Sequence, residues 1–315
     1  MRAALFFYNL FNKQMLLIIT CSEDSTTDLL LPFLKGIEVF RFNINKWNEY
    51  AWEFSDKGIF VQSIDGKILT DKNLKCVYLR KPIFIDKIDV PANGCLENWS
   101  REEVTRLWQD LFYDMAARSR AALVFPGKTK CYKHTQMALA KKYFNVPEWR
   151  IIRGFIPDEL KQGEWVAKSL TQAQIGNDKI FLVKKICTEK IDPYYPWFLQ
   201  RRIDAQCDVT VVFIEGEIFA FELSREGLSG DDIRVDRSSK WGKIELSKKD
   251  CLAIRLFMSE AGFAFGRLDF LRKDGDLFFL EMNPNGMWAW LDLDYKNGVF
   301  ESVANAIKRK YSLIY

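Results

Sequence analysis

The segment GFAFGRLDFLRKDGDLFFLEMNPNGMWAWLD, residues 262–292, has the pattern of a β-hairpin followed by a polar loop. Its two apolar runs flank the sequence KDGD at residues 273–276, and Asp-Gly between apolar runs is a strong hairpin signal. Folding back at this turn brings Asp269 close to Glu281 and Asn283. Carboxylates surrounded by apolar residues need a compensating cation, and oxygen ligands suit Mg²⁺ or Mn²⁺. The sequence therefore predicts a metal site here, unless an ordinary hairpin exposes these side chains to solvent.

Composition excludes several classes of protein. The chain has 315 residues, 48% of them hydrophobic and 28% charged, with a net charge of +4, which is typical of a globular protein of two or three domains. The basic clusters are not interleaved with aromatic residues, so we expect no nucleic-acid partner. No apolar run reaches membrane-spanning length, so we expect no membrane partner either.

Cysteine and histidine usage narrows the chemistry. The seven cysteines are scattered without a C-x-x-C pair, which predicts reduced thiols and a cytoplasmic location. His134 is the only histidine, which argues against a His-rich zinc site and a Ser-His-Asp triad. We therefore expect carboxylates, Lys, Arg and a hard metal ion to carry any catalysis.

Residues 15–80 alternate strand and helix signals, which indicates an open α/β domain. Residues 1–14 are interpreted as an extension, with Met15 as an alternative start, and residues 58–70 have a hairpin pattern. Residues 76–80 have the pattern of another strand, and the Arg80 side chain at its end would by itself be expected to face solvent. Capping boxes predict two later helices, one beginning at Ser100 and one at Ser247.

The hairpin and its loop resemble a known family. The pattern D-F, then a strand ending E-x-N-P, then N-G-x-W, is similar to the C-terminal metal site of the ATP-grasp ligases. The N-P-N-G-x-W-x-W run is most similar to the peptide maturases that make graspetides of the microviridin type. The sequence C-V-Y-L-R-K-P at residues 76–82 resembles a short strand in their N-terminal domain, which implies that Arg80 and Lys81 face a substrate. The resemblance implies an α/β (α+β) ATP-grasp fold with three subdomains. These are an N-terminal open α/β domain at 15–125, a central lid domain at 126–199 and a C-terminal antiparallel-sheet catalytic domain at 200–315.

The resemblance also implies a nucleotide site. Its nucleotide-binding residues would be Lys133, Lys168, Gln200, Arg201, Arg202, Ile203 and Asp208. The two lysines would hold the phosphates of ATP, the backbone of residues 200–203 the adenine, and Asp208 the ribose. The metal ligands for one or two Mg²⁺ ions would be Asp269, Glu281 and Asn283. The catalytic side chains would be Lys168 and Arg234, with Arg234 gripping the transferred phosphoryl group or the acyl phosphate.

The implied activity is ATP-dependent ligation on a ribosomal precursor peptide. An Asp or Glu side chain of that peptide would be phosphorylated and joined to a Ser or Thr hydroxyl or a Lys amine, while a leader segment docks on the enzyme. Homodimers are common in that family, although no feature of this sequence indicates one. Met287 stands where those maturases usually carry Gln. Two alternatives stay open: another ATP-grasp ligase acting on a small molecule or a protein end, and a non-catalytic nucleotide-binding module.

Overall fold

The computed structural model of this chain describes residues 13–80, 94, 96–104, 121–125, 132–154, 158–160, 164–168, 170, 174–175, 179–180, 184–185, 194–227 and 240–313. Its strands are β1 Met15–Thr20, β2 Glu38–Asn43, β3 Ala51–Ser55, β4 Gly58–Gln62, β5 Ile68–Thr70, β6 Leu74–Leu79, β7 Ala122–Val124, β8 Trp149–Ile152, β9 Trp165–Lys168, β10 Gln174–Ile175, β11 Lys179–Ile180, β12 Lys184–Lys185, β13 Trp197–Arg201, β14 Cys207–Ile214, β15 Glu217–Ser224, β16 Gly242–Ile244, β17 Phe265–Lys273 and β18 Asp276–Asn283. Its α-helices are α1 Ser25–Leu30, α2 Lys133–Ala140, α3 Lys248–Ala261 and α4 Val299–Ser312, and its 3₁₀ helices are Leu31–Leu34, Ile44–Glu49, Asp158–Leu160 and Ala289–Leu291.

The chain divides into two compact units, one made of residues 1–126 with 287–315 and the other of residues 127–286. The three subdomains predicted from the sequence, with boundaries at 125/126 and 199/200, stay a prediction. No helix in the described part of the chain is both long and apolar enough to cross a membrane.

The first unit is built around a parallel sheet with the strand order β2-β1-β6-β7. Every residue of β1, MLLIIT, is buried, as expected for an inner strand of a parallel sheet. Helix α4 contacts β6 and β7 and buries Val299, Phe300, Val303 and Ile307. The open α/β arrangement predicted for residues 15–80 is therefore confirmed.

Arg80, directly after β6, is fully buried, so the interpretation that it faces a substrate or solvent is wrong. Its Nε lies 3.7 Å from Asp24 Oδ2, and its Nη2 donates to Thr26 Oγ1 at 3.3 Å. The hydroxyls of Thr20 and Thr27 donate to the same carboxylate oxygen at 2.8 and 2.7 Å. A buried carboxylate and guanidinium require such pairing, so this cluster stabilises the edge of the sheet where β1 and β6 end.

Two local predictions in this unit have different outcomes. Strands β4 and β5 form the hairpin predicted for residues 58–70, and β3 extends it to a three-stranded antiparallel sheet. Residues 96–104 are helical, so the helix predicted to begin at Ser100 begins before it. A capping serine must stand at the non-helical first position, which Ser100 does not occupy. Arg101 instead pairs with Glu97 one turn earlier, at 2.6 Å.

The second unit contains antiparallel sheets with the orders β12-β9-β13-β8 and β16-β15-β14-β17-β18, and the ladder β10-β11. Helix α3 begins at the predicted cap, where Ser247 Oγ accepts a hydrogen bond from the Asp250 N–H at 3.0 Å. Apolar side chains of α2 and α3 share one core with the five-stranded sheet. The turn between β17 and β18 has positive φ at Asp274 (52°) and Gly275 (87°), so the predicted Asp-Gly hairpin is confirmed.

Candidate active site

The register of β17 and β18 brings the predicted metal ligands together. Asp269 lies directly opposite Glu281, and Arg267 lies opposite Asn283. Asn283 Nδ2 is 3.2 Å from Glu281 Oε1 and 3.4 Å from Asp269 Oδ2. The proximity predicted from the hairpin pattern is confirmed, and two carboxylates and an amide converge on one face of the sheet.

Three neighbouring groups donate to these carboxylates. Thr210 Oγ1 donates to Asp269 Oδ1 at 2.8 Å, and Arg267 Nη2 donates to Asp269 Oδ2 at 2.8 Å. Lys133 Nζ, at the start of α2, lies 3.1 Å from Glu281 Oε2. Both carboxylates are therefore balanced by positive charge within the protein.

Lys168 belongs to the same cluster. Burial lowers the pKa of Lys168 to about 8, with the nearby Glu281 and Asp269 opposing this shift and Lys133 adding to it. Burial alone would raise the pKa of Glu281, but Lys133 and Lys168 outweigh it and hold that pKa well below its usual value. The cluster therefore contains two lysines and two carboxylates, and the pKa values of Lys168 and Glu281 both depend on it.

The chemistry of these donors fits a hard divalent cation. Asp269, Glu281 and Asn283 can all present oxygen atoms, which Mg²⁺ and Mn²⁺ prefer. Within the described ranges, no group of three or more His, Cys, Asp and Glu side chains suitable for a metal occurs, so the amide would be needed to complete the set. In the structure Lys133 and Arg267 supply the balancing charge that a cation would share.

The predicted adenine hinge lies at the end of β13. Gln200 is buried and pairs through the backbone with β8 and β9. The N–H groups of Arg201 and Arg202 donate to backbone carbonyls at 2.7 and 2.9 Å. The backbone of Ile203 makes no hydrogen bond to any other described residue. The adenine-binding role of residues 200–203 stays a prediction.

Asp208, predicted to bind ribose, is held by an arginine that the sequence did not indicate. Arg225 Nε and Nη2 donate to its two carboxylate oxygens at 2.6 and 3.0 Å. Burial raises the pKa of Asp208, and the ion pair with Arg225 opposes that shift. Each carboxylate oxygen can accept a further hydrogen bond, so the ion pair leaves acceptor capacity for a ribose hydroxyl.

The loop after β18 depends on a glycine. A Cβ atom on Gly286 would lie 2.8 Å from Arg267 Cβ and 3.2 Å from Asn283 Cβ. The N-P-N-G sequence therefore allows the loop to pack directly against the strand beside the candidate site. Arg234, predicted to grip the transferred phosphoryl group, lies outside the described residues, as does the whole range 228–239. The residues directly after Arg80, 81–93, lie outside them too.

Sequence reasoning missed Arg267 and Thr210. Arg267 stands two positions before Asp269, and strand periodicity puts both on one face, so this signal was present. Thr210 lies opposite Asp269 through the pairing of β14 with β17. These strands are distant in the sequence, and no local pattern predicts that register.

Comparison with known proteins bears on the fold. No protein-family model and no curated protein sequence matches this chain. Solved structures do match. The macrocyclase MdnC from Microcystis aeruginosa MRC, bound with precursor peptide MdnA, has a TM-score of 0.81 and 20% identity over 94% of this chain and 100% of MdnC.

Two further structures are similar. A RiPP-associated ATP-grasp ligase from Chryseobacterium gregarium, in complex with ADP and a leader and core peptide, has a TM-score of 0.78 and 19% identity over 94% of this chain and 97% of that protein. The ATP-grasp ligase PsnB, complexed with a phosphomimetic variant of a minimal precursor, Mg and ADP, has a TM-score of 0.68 and 17% identity over 95% of this chain and 99% of PsnB. At such identities the likeness concerns the fold, since one fold hosts many functions. The chain therefore has the ATP-grasp fold that its motifs implied.

Proposed function

We propose that this protein is an ADP-forming ATP-grasp ligase that acts on a ribosomal precursor peptide. It activates Asp or Glu side-chain carboxylates of the peptide and joins them to Ser or Thr hydroxyls or Lys amines, which closes lactone or lactam rings. The observation that carries this proposal is the convergence of Asp269, Glu281 and Asn283 with Lys133 and Lys168 on an ATP-grasp fold.

The similar structures support the ligands in this proposal. MdnC is a macrocyclase bound with a precursor peptide, and the Chryseobacterium gregarium ligase holds ADP with a leader and core peptide. PsnB is complexed with Mg and ADP. We therefore assign ATP and Mg²⁺, with Mn²⁺ as a substitute, and a precursor peptide with a leader segment as partner.

The proposed roles follow from the charges in the site. Asp269, Glu281 and Asn283 would hold Mg²⁺, which when bound neutralises charge on the phosphates. Lys133, 3.1 Å from Glu281, would add a positive charge for the phosphates beside these ligands. Transfer of the terminal phosphoryl group to a carboxylate needs positioning and charge balance rather than a protein nucleophile.

Other parts of the proposal rest on the sequence. Arg234, with Lys168, would stabilise the transferred group, and Gln200, Arg201, Arg202 and Ile203 would surround the adenine. The three subdomains with boundaries at 125/126 and 199/200 also stay part of this proposal. The described cysteines Cys21, Cys76, Cys207 and Cys251 are free thiols, which agrees with the cytoplasmic location that we propose.

The decisive experiment is an intact mass measurement on a precursor peptide encoded beside the gene. The peptide is co-expressed with the enzyme or with a Glu281→Ala variant. We expect the peptide to lose one water for each ring with the active enzyme only, because Glu281 is a proposed metal ligand. Fragmentation then locates the joined residues.

An unchanged mass with a well-expressed peptide would contradict the peptide substrate. Screening free carboxylates and amines for Mg²⁺-dependent ADP release would then test a ligase for small molecules or protein ends. Absence of ADP release with every acceptor would indicate a non-catalytic nucleotide-binding module. Full turnover by a folded Glu281→Ala variant would overturn the metal assignment.

A further inference from the structure

Gln136 on α2 binds both main-chain groups of Met282. Its Nε2 donates to the Met282 carbonyl at 2.8 Å, and its Oε1 accepts from the Met282 N–H at 2.8 Å. The Gln136 side chain is buried. A primary amide offers a donor and an acceptor side by side, as the backbone of a neighbouring strand does. At this point Gln136 therefore replaces the strand that β18 lacks on its outer side, because β18 is the edge of its sheet.

Met282 stands between two of the proposed metal ligands. Side chains alternate along a strand, so Glu281 and Asn283 face the site while the Met282 side chain faces the core, where it is fully buried. In the pairing of β17 with β18, Met282 lies opposite Leu268. The Gln136 amide holds the outer edge of Met282, and the core holds its side chain. The backbone of Met282 is therefore held on both sides, which restricts the positions of its neighbours Glu281 and Asn283.

The same helix touches the site a second time. Lys133 lies one turn before Gln136 and forms the 3.1 Å ion pair with Glu281. Met137 and Ala140 of α2 pack in the core formed with the five-stranded sheet. Helix α2 and strand β18 are therefore joined by an ion pair, a pair of hydrogen bonds and apolar packing.

We propose that Gln136 is a positioning residue that sets the orientation of Glu281 and Asn283 toward the metal ion. This inference rests on the metal site in the proposed function. Ligands must be held within a fraction of an ångström of a productive geometry, and the hydrogen bonds behind them supply that precision. Without the amide, the outer edge of Met282 loses both hydrogen bonds, and the backbone that carries the two ligands can shift.

The test separates metal binding from nucleotide binding. The dissociation constant of ADP is measured by titration calorimetry with Mg²⁺ and with EDTA, for the wild type and for Gln136→Met, which keeps the volume and removes the amide. We expect the gain in ADP affinity that Mg²⁺ brings to shrink by about 10-fold, the lower end of the effect of removing a direct partner of a metal ligand, because Gln136 acts through the Met282 backbone. We expect the affinity in EDTA to stay unchanged.

The control is Asn145→Ala. The Asn145 main-chain carbonyl accepts from the Phe279 N–H at 2.8 Å on the same edge of β18, and its exposed side chain can be removed without touching that bond. This variant should keep the full Mg²⁺ effect. Gln136→Asn keeps an amide but is one methylene too short to reach Met282, and serves if Gln136→Met does not fold.

The outcomes distinguish the two proposals. A wild type whose ADP affinity is indifferent to Mg²⁺ would overturn the metal site and the proposed function. A strong Mg²⁺ effect that both Gln136 variants retain would overturn the positioning role alone. A lower melting temperature of the Gln136 variants with an unchanged Mg²⁺ effect would indicate a purely structural role and would also overturn the positioning role.

Discussion

Arg225 and Asp208 form the most enclosed ion pair of the second unit's described residues outside the metal cluster. Both side chains are largely buried, and the pair is bidentate, the geometry in which arginine binds a carboxylate most strongly. The ion pair therefore both stabilises the fold and fixes the position of Asp208, the residue proposed to bind ribose. A surface pair of equal charge would not do so, because water screens it.

Removing the arginine should destabilise the protein. We expect Arg225→Met to lower the free energy of unfolding by roughly 3–5 kcal/mol, because an uncompensated carboxylate stays buried. Denaturant unfolding measures this, and Lys142→Met is the control, since its ion pair with Glu260 is exposed and should contribute little. Equal stability of the two variants would show that Asp208 does not depend on Arg225.

Lys168 should make nucleotide binding depend on pH. Its pKa is about 8 in the folded protein against the usual 10.5, so it is charged below pH 8 and loses its proton above it. We expect ADP affinity in EDTA to fall as pH rises above about 8, because a neutral amine attracts phosphate poorly. Lys168→Arg should remove this dependence, since arginine stays charged. A flat wild-type profile would contradict the phosphate-binding role.

The same shift has a second consequence of opposite sign. Between about pH 8 and 10.5 the unfolded chain binds the Lys168 proton and the folded chain does not. Stability rises with pH wherever the unfolded state binds more protons. As pH rises through this window, Lys168 therefore increases the free energy of unfolding, while the affinity for the nucleotide falls.

Among the helices and strands, α3 and the helix at residues 96–104 offer a direct comparison of one sequence motif. Ser247 accepts from the Asp250 N–H and donates to its carboxylate at 2.6 Å. Ser100 has the same S-x-x-acid spacing but lies within residues that are already helical. The motif therefore indicates a helix start only where the preceding residue can leave the helix.

Replacing each serine with alanine should distinguish the serine at the helix cap from the serine inside a helix. We expect Ser247→Ala to lower the free energy of unfolding by about 1 kcal/mol, the usual effect of losing an N-cap. Ser100→Ala should leave stability unchanged or slightly raised, because alanine has the higher helix propensity. Thermal unfolding measures both. A larger loss at Ser100 would mean that its hydroxyl has a role other than capping.

The hairpin β17–β18 shows what the sequence could predict. Local patterns at residues 273–276 predicted the turn, and folding back there brought Asp269 close to Glu281 and Asn283 as expected. The pairing shifts register between Asp269 and Phe270, so alternation counted from the turn does not predict which face Glu281 occupies. The partners Thr210, Arg225 and Gln136 were not predicted. Each comes from a different element, and its position depends on tertiary pairing that no short spacing encodes.

For the entire chain, the dominant feature is that α4 completes the core of the first unit. The Phe300 ring is stacked 5.6 Å from Phe33 and packs edge-on against Trp288 at 4.7 Å and Tyr295 at 5.2 Å. Helix α4 also contacts β6, β7 and the 3₁₀ helix Leu31–Leu34. Helix α4 is therefore an integral part of the first unit.

Phe300→Ala should reveal this dependence. We expect the free energy of unfolding to fall by about 3–5 kcal/mol, because the substitution leaves a cavity among packed rings. Hydrogen exchange should show the loss of protection in β1, β6 and β7. Glu301→Ala, at the exposed neighbouring position, is the control and should change little. Unchanged protection in these strands would show that the first unit is complete without α4.

This discontinuous unit has a consequence for synthesis. A ribosome releases β1, β6 and β7 long before α4, because residues 127–286 lie between them. Domains generally fold as they emerge, and apolar surface left open on a nascent chain is prone to aggregate. The second unit can close during translation, whereas the first must wait for its final helix. Chaperone dependence during synthesis should therefore be concentrated in the strands that are made first.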